Sequence, residues 1–155
     1  MQGLSYKRLS SNDLHYYQSM NDLDKKQDGT NHKVILIAED EEINFHFLAM
    51  LLAKLNPGSK LLHATNGREA VELVKANPGI TLILMDIKMP VMDGYEATKE
   101  IKTIKPDMKI IAQTALSAFD AKEKALQAGC DDFITKPIKM DLLQNSIDHL
   151  SQSSG

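Results

Sequence analysis

Five short apolar runs punctuate this chain: VILIA (34 to 38), KLLHA (60 to 64), LILM (82 to 85), KIIAQ (109 to 113) and DFIT (132 to 135). Each is followed by a stretch with helical periodicity, over 41 to 55, 67 to 76, 93 to 103, 117 to 128 and 139 to 150. Breakers close or follow these stretches: NPG at 56 to 58 and again at 77 to 79, KPD at 105 to 107, and AG at 128 to 129. This alternation constrains the fold more than any other feature. Two parallel strands cannot be joined by a tight turn and need a crossover, and the crossover carries a helix that covers one face of the sheet. The pattern therefore predicts an α/β fold, a doubly wound five-stranded parallel sheet with five helices.

The alternation begins near Lys33. Residues 1 to 32 are polar and hold three of the four tyrosines, with a weak helical stripe of Tyr16, Met20 and Leu23. They are predicted to be a linker with one short helix, leaving 33 to 150 as the domain and 151 to 155 as a tail. A formal charge of -3 with 43% hydrophobic residues lacks the basic excess of a direct nucleic-acid binder. The first thirty residues hold no continuous apolar run that could act as a signal peptide, and no apolar stretch is long enough to span a bilayer, so no membrane contact is expected from this segment. Cys130 is the single cysteine, which suits a reducing, cytoplasmic setting. The five histidines (His15, His32, His46, His63, His149) are scattered, with no zinc-like cluster.

In an open sheet of this kind ligands bind outside the carboxyl ends of the strands, where strand order reverses. The first run ends on Glu39 and Asp40 and the third on Asp86. The fourth stops just before Thr114 and the fifth just before Lys136. Taken singly these are ordinary caps and turn residues; together they bring three acids, a hydroxyl and an ammonium to one edge. Three neighbouring carboxylates repel one another unless a cation joins them. Mg²⁺ accepts oxygen ligands from a few carboxylates while keeping waters and a substrate phosphate. Asp40 and Asp86 are expected to ligate directly and Glu39 through water, with a backbone carbonyl in the loop after Asp86 as a further ligand. Asp86 then keeps an oxygen free to attack phosphorus, a carboxylate needing no general base for that step. Lys136 supplies a second positive charge, and Thr114 can donate to a phosphoryl oxygen.

AED (38 to 40), LMDIKMPVMDG (84 to 94), AQTA (112 to 115) and AGCDDFITKPI (128 to 138) resemble, in order and spacing, the signature blocks of the response-regulator receiver domain of two-component signalling. The resemblance covers about residues 33 to 150 and implies a flavodoxin-like fold. It implies that Asp86 is the phospho-acceptor, Glu39 and Asp40 the acidic metal pair, and Lys88 the donor of a backbone carbonyl to Mg²⁺. Thr114 falls at the switch hydroxyl, Lys136 at the phosphate-pairing lysine, and Phe133 at the switch aromatic, where the family often has Tyr. The Lys136–Pro137 peptide is expected to be cis. Self-phosphorylation and self-dephosphorylation are implied, with a histidine kinase or histidine phosphotransfer domain as partner. The polar lead, the end at SQSSG, and Asn44 in AEDEEIN point to the C-terminal receiver of a hybrid histidine kinase, although Glu41 departs from that pattern.

Two alternatives stand beside this reading. One is a stand-alone response regulator. The other is a haloacid-dehalogenase-type phosphatase, which resembles DxDx, with a second acid where this chain has Lys88. The first helix adds a further expectation. Phe47, Leu48, Leu51, Leu52 and Leu55 share a core stripe at helical spacing, which leaves Ile43, Phe45 and Met50 as a docking face for the partner.

Overall fold

A computed structural model of the chain describes residues 33–115 and 120–153. The helix expected around Tyr16, Met20 and Leu23, and the first residues of the one expected from 117, lie outside them. The elements alternate as the sequence predicts: β1 (Val34–Ala38), α1 (Glu42–Leu55), β2 (Lys60–Ala64), α2 (Gly67–Ala76), β3 (Ile80–Asp86), α3 (Gly94–Ile104), β4 (Lys109–Ala115), α4 (Ala121–Ala128), β5 (Asp132–Lys136) and α5 (Met140–Gln152). α5 runs two residues past the expected boundary, into the segment read as a tail. Among the described residues no helix is long and apolar enough to cross a membrane.

The helices start and stop for local reasons. Asn66 and Asp93 cap α2 and α3 by accepting the N–H of Glu69 and of Glu96. Gly129 closes α4 in the left-handed conformation, φ 109°, where a Cβ would be strained.

All strand pairs are parallel, in the order β2-β1-β3-β4-β5. The winding reverses between β1 and β3, so the connections that follow their adjacent carboxyl ends lead to opposite sides. One face of the sheet packs Leu36, Ile83, Met85, Ile110 and Ala112 against Val71, Ala97, Ile101 and Ala125. Burial of β1, β3 and β4 on both faces explains why they read as unbroken apolar runs. β3 and β4 are each longer than expected, and Thr114 lies within β4.

Gln113 is an exception inside the core. Its side-chain amide is buried and has no hydrogen-bond partner among the described residues. An unpaired buried amide carries its full desolvation cost, so Gln113→Leu is expected to stabilise the domain by about 1–2 kcal/mol, read as a raised urea midpoint at unchanged slope.

The first helix corrects one expectation. Phe45 is 3% exposed, whereas Phe47 is 41%, Ile43 82% and Met50 53% exposed. At 3.6 residues per turn, 43, 47 and 50 follow one stripe, and 45 falls with 48 and 52 on the buried side. Phe45 is therefore a core residue and not part of a docking face, and Phe47 takes its place on the surface.

Candidate functional site

The register explains how the acids meet. β1 and β3 end their pairing at Ala38 opposite Met85, which brings the next residues, Glu39 and Asp86, level at the carboxyl edge. Both are buried, and Asp40, one residue on, is exposed. Carboxylate oxygens of Glu39, Asp40 and Asp86 lie within 4.8 Å of one another. Lys136, at the end of β5 and opposite Ala115 in the register, reaches across β4. Its Nζ donates to Asp86 Oδ2 at 3.0 Å and to Glu39 Oε2 at 3.3 Å.

Backbone groups hold the two buried acids in place. Asp86 Oδ1 accepts the Lys88 N–H at 3.2 Å, and Glu39 Oε1 accepts the Glu41 N–H at 3.1 Å. Burial pushes the Glu39 carboxyl above its ordinary range; the Glu41 N–H pulls it back, the Asp86 charge adds to the rise, and Lys136 opposes it. Burial also works against the Lys136 ammonium, but the hydrogen bond and charge of Asp86, joined by Glu39, outweigh it and hold this lysine above the usual value. The site is thus an acidic hollow with one cation shared between two acids.

Thr114 is buried, and its hydroxyl makes a single long bond, 3.4 Å, to the carbonyl of Ala115. A bond of that length is weak, which leaves the hydroxyl free to turn toward a better acceptor. Ala112 pairs with Phe133 and Thr114 with Thr135, so Thr114 and Phe133 stand on the same side of the sheet. Phe133 is half-buried against the core. The Lys136–Pro137 peptide is cis.

Two residues that pack around the site were not legible as such in the sequence. Gly94 opens α3 directly against β3: its N–H donates to the Ile87 carbonyl at 2.9 Å, and a Cβ there would meet the Asp86 carbonyl and come within 2.8 Å of Ile87 Cα. The chain reaches this contact through a tight turn in which the Met92 N–H bonds the Pro90 carbonyl at 2.8 Å and exposed Val91 takes φ 69°. The second is His63, near the end of β2. Its Nε2 lies 2.8 Å from the Glu39 carbonyl oxygen, and its ring stacks on Phe45 with centroids 3.8 Å apart and planes 9° apart. Burial lowers the His63 pKa, and the Glu39 carbonyl opposes that shift, so the ring is neutral at physiological pH and Nε2–H donates. The available signal was its position: a polar residue near the end of an apolar run, on the same sheet edge as the acids.

The model of the response regulator receiver domain family matches residues 35–148. The chain belongs to that family. This receiver domain is 41% identical over 121 residues to the hybrid signal transduction histidine kinase G of Dictyostelium discoideum, covering 76% of the chain and 4% of that kinase. The chain thus spans a small fraction of that relative's length. Among solved structures it resembles the receiver domain of the Saccharomyces cerevisiae response regulator Ssk1, co-crystallised with the histidine phosphotransfer protein Ypd1. The TM-score is 0.70 at 34% identity, over 77% of this chain and 88% of that one. It also resembles the receiver domain of the sensor histidine kinase PA1611 from Pseudomonas aeruginosa PAO1, a structure with magnesium coordinated in the active-site cleft. There the TM-score is 0.69 at 33% identity, over 77% and 97% of the two chains. The chain is therefore a receiver domain of a two-component phosphorelay, with the five-stranded α/β architecture of its family.

Proposed function

We propose that Asp86 accepts a phosphoryl group from a phosphohistidine on a kinase or phosphotransfer partner, in a hollow that binds Mg²⁺. The observation that carries this is the bridge from Lys136 to Asp86 and Glu39 beside three mutually close carboxylates. The donor set fits a hard divalent cation: all oxygens, one acid exposed and two buried, with no sulfur or imidazole among the three. Asp40 and Asp86 would hold the ion directly, Glu39 through water, and Lys88 through its backbone carbonyl. When bound, the ion offsets the charge shared by carboxylate and phosphoryl group.

The remaining work falls to the chain itself. An Asp86 oxygen attacks phosphorus as the bond from phosphorus to the imidazole nitrogen breaks, and the electron pair returns to that nitrogen. Lys136 is already within bonding distance of Asp86 and neutralises the arriving oxygens. The Thr114 hydroxyl leaves its weak contact to bind a phosphoryl oxygen. The added charge, close to two units, is thereby converted into a movement on β4. The space Thr114 vacates lets Phe133 pack further inward, altering the surface of α4, β5 and α5. Accordingly, Phe133 ring resonances should shift on addition of beryllofluoride and Mg²⁺; a ring environment unchanged between the two forms would remove this part of the mechanism. Slow self-phosphorylation from small donors and slow self-dephosphorylation belong to the same site. Intact mass after incubation with acetyl phosphate, with and without Mg²⁺, tests the acceptor reading, and turnover of added phosphate esters would favour the phosphatase alternative instead.

The exposed stripe Ile43, Phe47 and Met50 on α1 is the docking face we assign to the partner's helices, next to the acids it must serve. Phe47→Asp is expected to slow transfer from a phosphorylated phosphotransfer protein by roughly tenfold or more while leaving acetyl phosphate labelling unchanged. Equal slowing with both donors would mean the stripe acts through the fold. Similarity to hybrid kinases favours an origin within such a kinase, in the cytoplasm, over a stand-alone regulator; the coding sequence on either side of this segment decides between them.

A further inference from the structure

We infer that His63 is a positioning residue for the metal-binding acids, acting through the backbone of Glu39. This inference rests on the magnesium reading above.

The turn that carries Glu39 and Asp40 follows β1 and leads into α1. On its inner side it is tied to β2 at two consecutive backbone groups. The Glu39 N–H donates to the Ala64 carbonyl at 2.9 Å, and the Glu39 carbonyl accepts from His63 Nε2 at 2.8 Å. The first tie continues the sheet ladder, and any residue at 64 provides it. The second depends on a side chain. A carbonyl at the end of a strand has no further partner on the ladder, and here it lies beside the buried Glu39 side chain. His63 closes that gap.

The ring is held in place for this task. Ile37 pairs with His63 in the β1–β2 register, so the imidazole leans toward the side of the sheet that α1 covers. There it lies flat on Phe45, with centroids 3.8 Å apart and the two planes nearly parallel. Phe45 is itself buried, which fixes the plane on which the ring rests. With the plane set by the stack and Nε2 aimed at the carbonyl, the peptide between Glu39 and Asp40 has little freedom to rotate. That peptide sets where the exposed Asp40 carboxylate stands relative to Asp86. Groups that orient metal ligands from behind in this way govern affinity strongly, because an ion that demands near-ideal geometry does not tolerate a wandering ligand.

The consequence is separable from folding. His63→Phe keeps the stacking surface and removes the donor. His63→Gln places an amide N–H₂ close to the position of imidazole Nε2 and can restore the bond. In NMR titrations of Mg²⁺ into the unphosphorylated 155-residue chain, His63→Phe is expected to raise the dissociation constant about tenfold, and His63→Gln to stay within about twofold of the native chain. His63→Leu is a second variant without the donor, should the Phe ring disturb the packing, and amide spectra before metal addition establish that each variant is folded. A folded His63→Phe or His63→Leu chain that binds Mg²⁺ as tightly as the native one overturns the inference. Gln weakening binding as much as Phe does so too. If the native chain itself shows no Mg²⁺ titration, the magnesium reading fails, and this inference falls with it.

Discussion

Asp86→Asn, incubated with acetyl phosphate and Mg²⁺, is expected to gain no phosphoryl mass under conditions in which the native chain gains one group. The substitution preserves the size and shape of the side chain but replaces the nucleophile with a neutral amide that does not attack phosphorus. It also removes the charge that Lys136 pairs with at 3.0 Å. Glu39 remains within 3.3 Å of that ammonium, so the lysine keeps a partner and the hollow stays assembled. Loss of labelling without loss of folding is therefore the expected pattern, and the amide spectrum of the variant reports the second half of it. Chelation of Mg²⁺ in the native chain should suppress labelling as well. Labelling of Asp86→Asn at the native rate would move the acceptor elsewhere and end the present reading of the site.

The second large effect is expected at a residue with no chemistry of its own. Gly94→Ala drives a methyl group against the Asp86 carbonyl and to 2.8 Å from Ile87 Cα, both parts of the backbone and neither able to swing aside. Either α3 withdraws from β3 or the end of β3 moves, and the cost is about 3 kcal/mol, at the upper end for overpacking. Because the displaced segment carries Asp86, the proposed acceptor, labelling by acetyl phosphate should fall even at temperatures where the variant is folded. Gly79→Ala is the matched control. A Cβ at that position meets only Val34 Cγ2, at 3.8 Å, and the expected change lies within about 1 kcal/mol in either direction. Urea unfolding of the two variants side by side separates the effect of close approach from the general loss of a glycine. Equal stabilities would show that the contact at Gly94 relaxes without strain.

The strands were legible because each central strand is buried on both faces and leaves an apolar run in the sequence. Their ends were less so. Ile80 and Thr81 belong to β3 although they directly follow a breaker, and Thr114 and Ala115 continue β4 although the two polar residues at 113 and 114 suggest that the strand is over. The acid cluster was legible because topology brings the ends of β1, β3 and β5 to one edge whatever the side chains do. The phase of α1 was not. Ile43, Phe45, Phe47, Leu48, Met50, Leu51 and Leu52 give nearly every face of that helix an apolar residue, so spacing alone admits more than one buried stripe. What decides between Phe45 and Phe47 is the imidazole of His63, contributed from β2, against which only one of the two rings lies. His63 was illegible for the same reason: its partner is a main-chain carbonyl 24 residues away, and a backbone acceptor has no letter in the sequence.

The stripe on α1 shares no residue with the acid hollow. If the stripe docks the donor as proposed, variation at Ile43, Phe47 or Met50 would redirect which donor is heard without retuning how its message is received, whereas Glu39, Asp86 and Thr114, packed into the interior, leave little room for drift. Under natural variation a domain built this way should acquire new allegiances readily and new chemistry rarely.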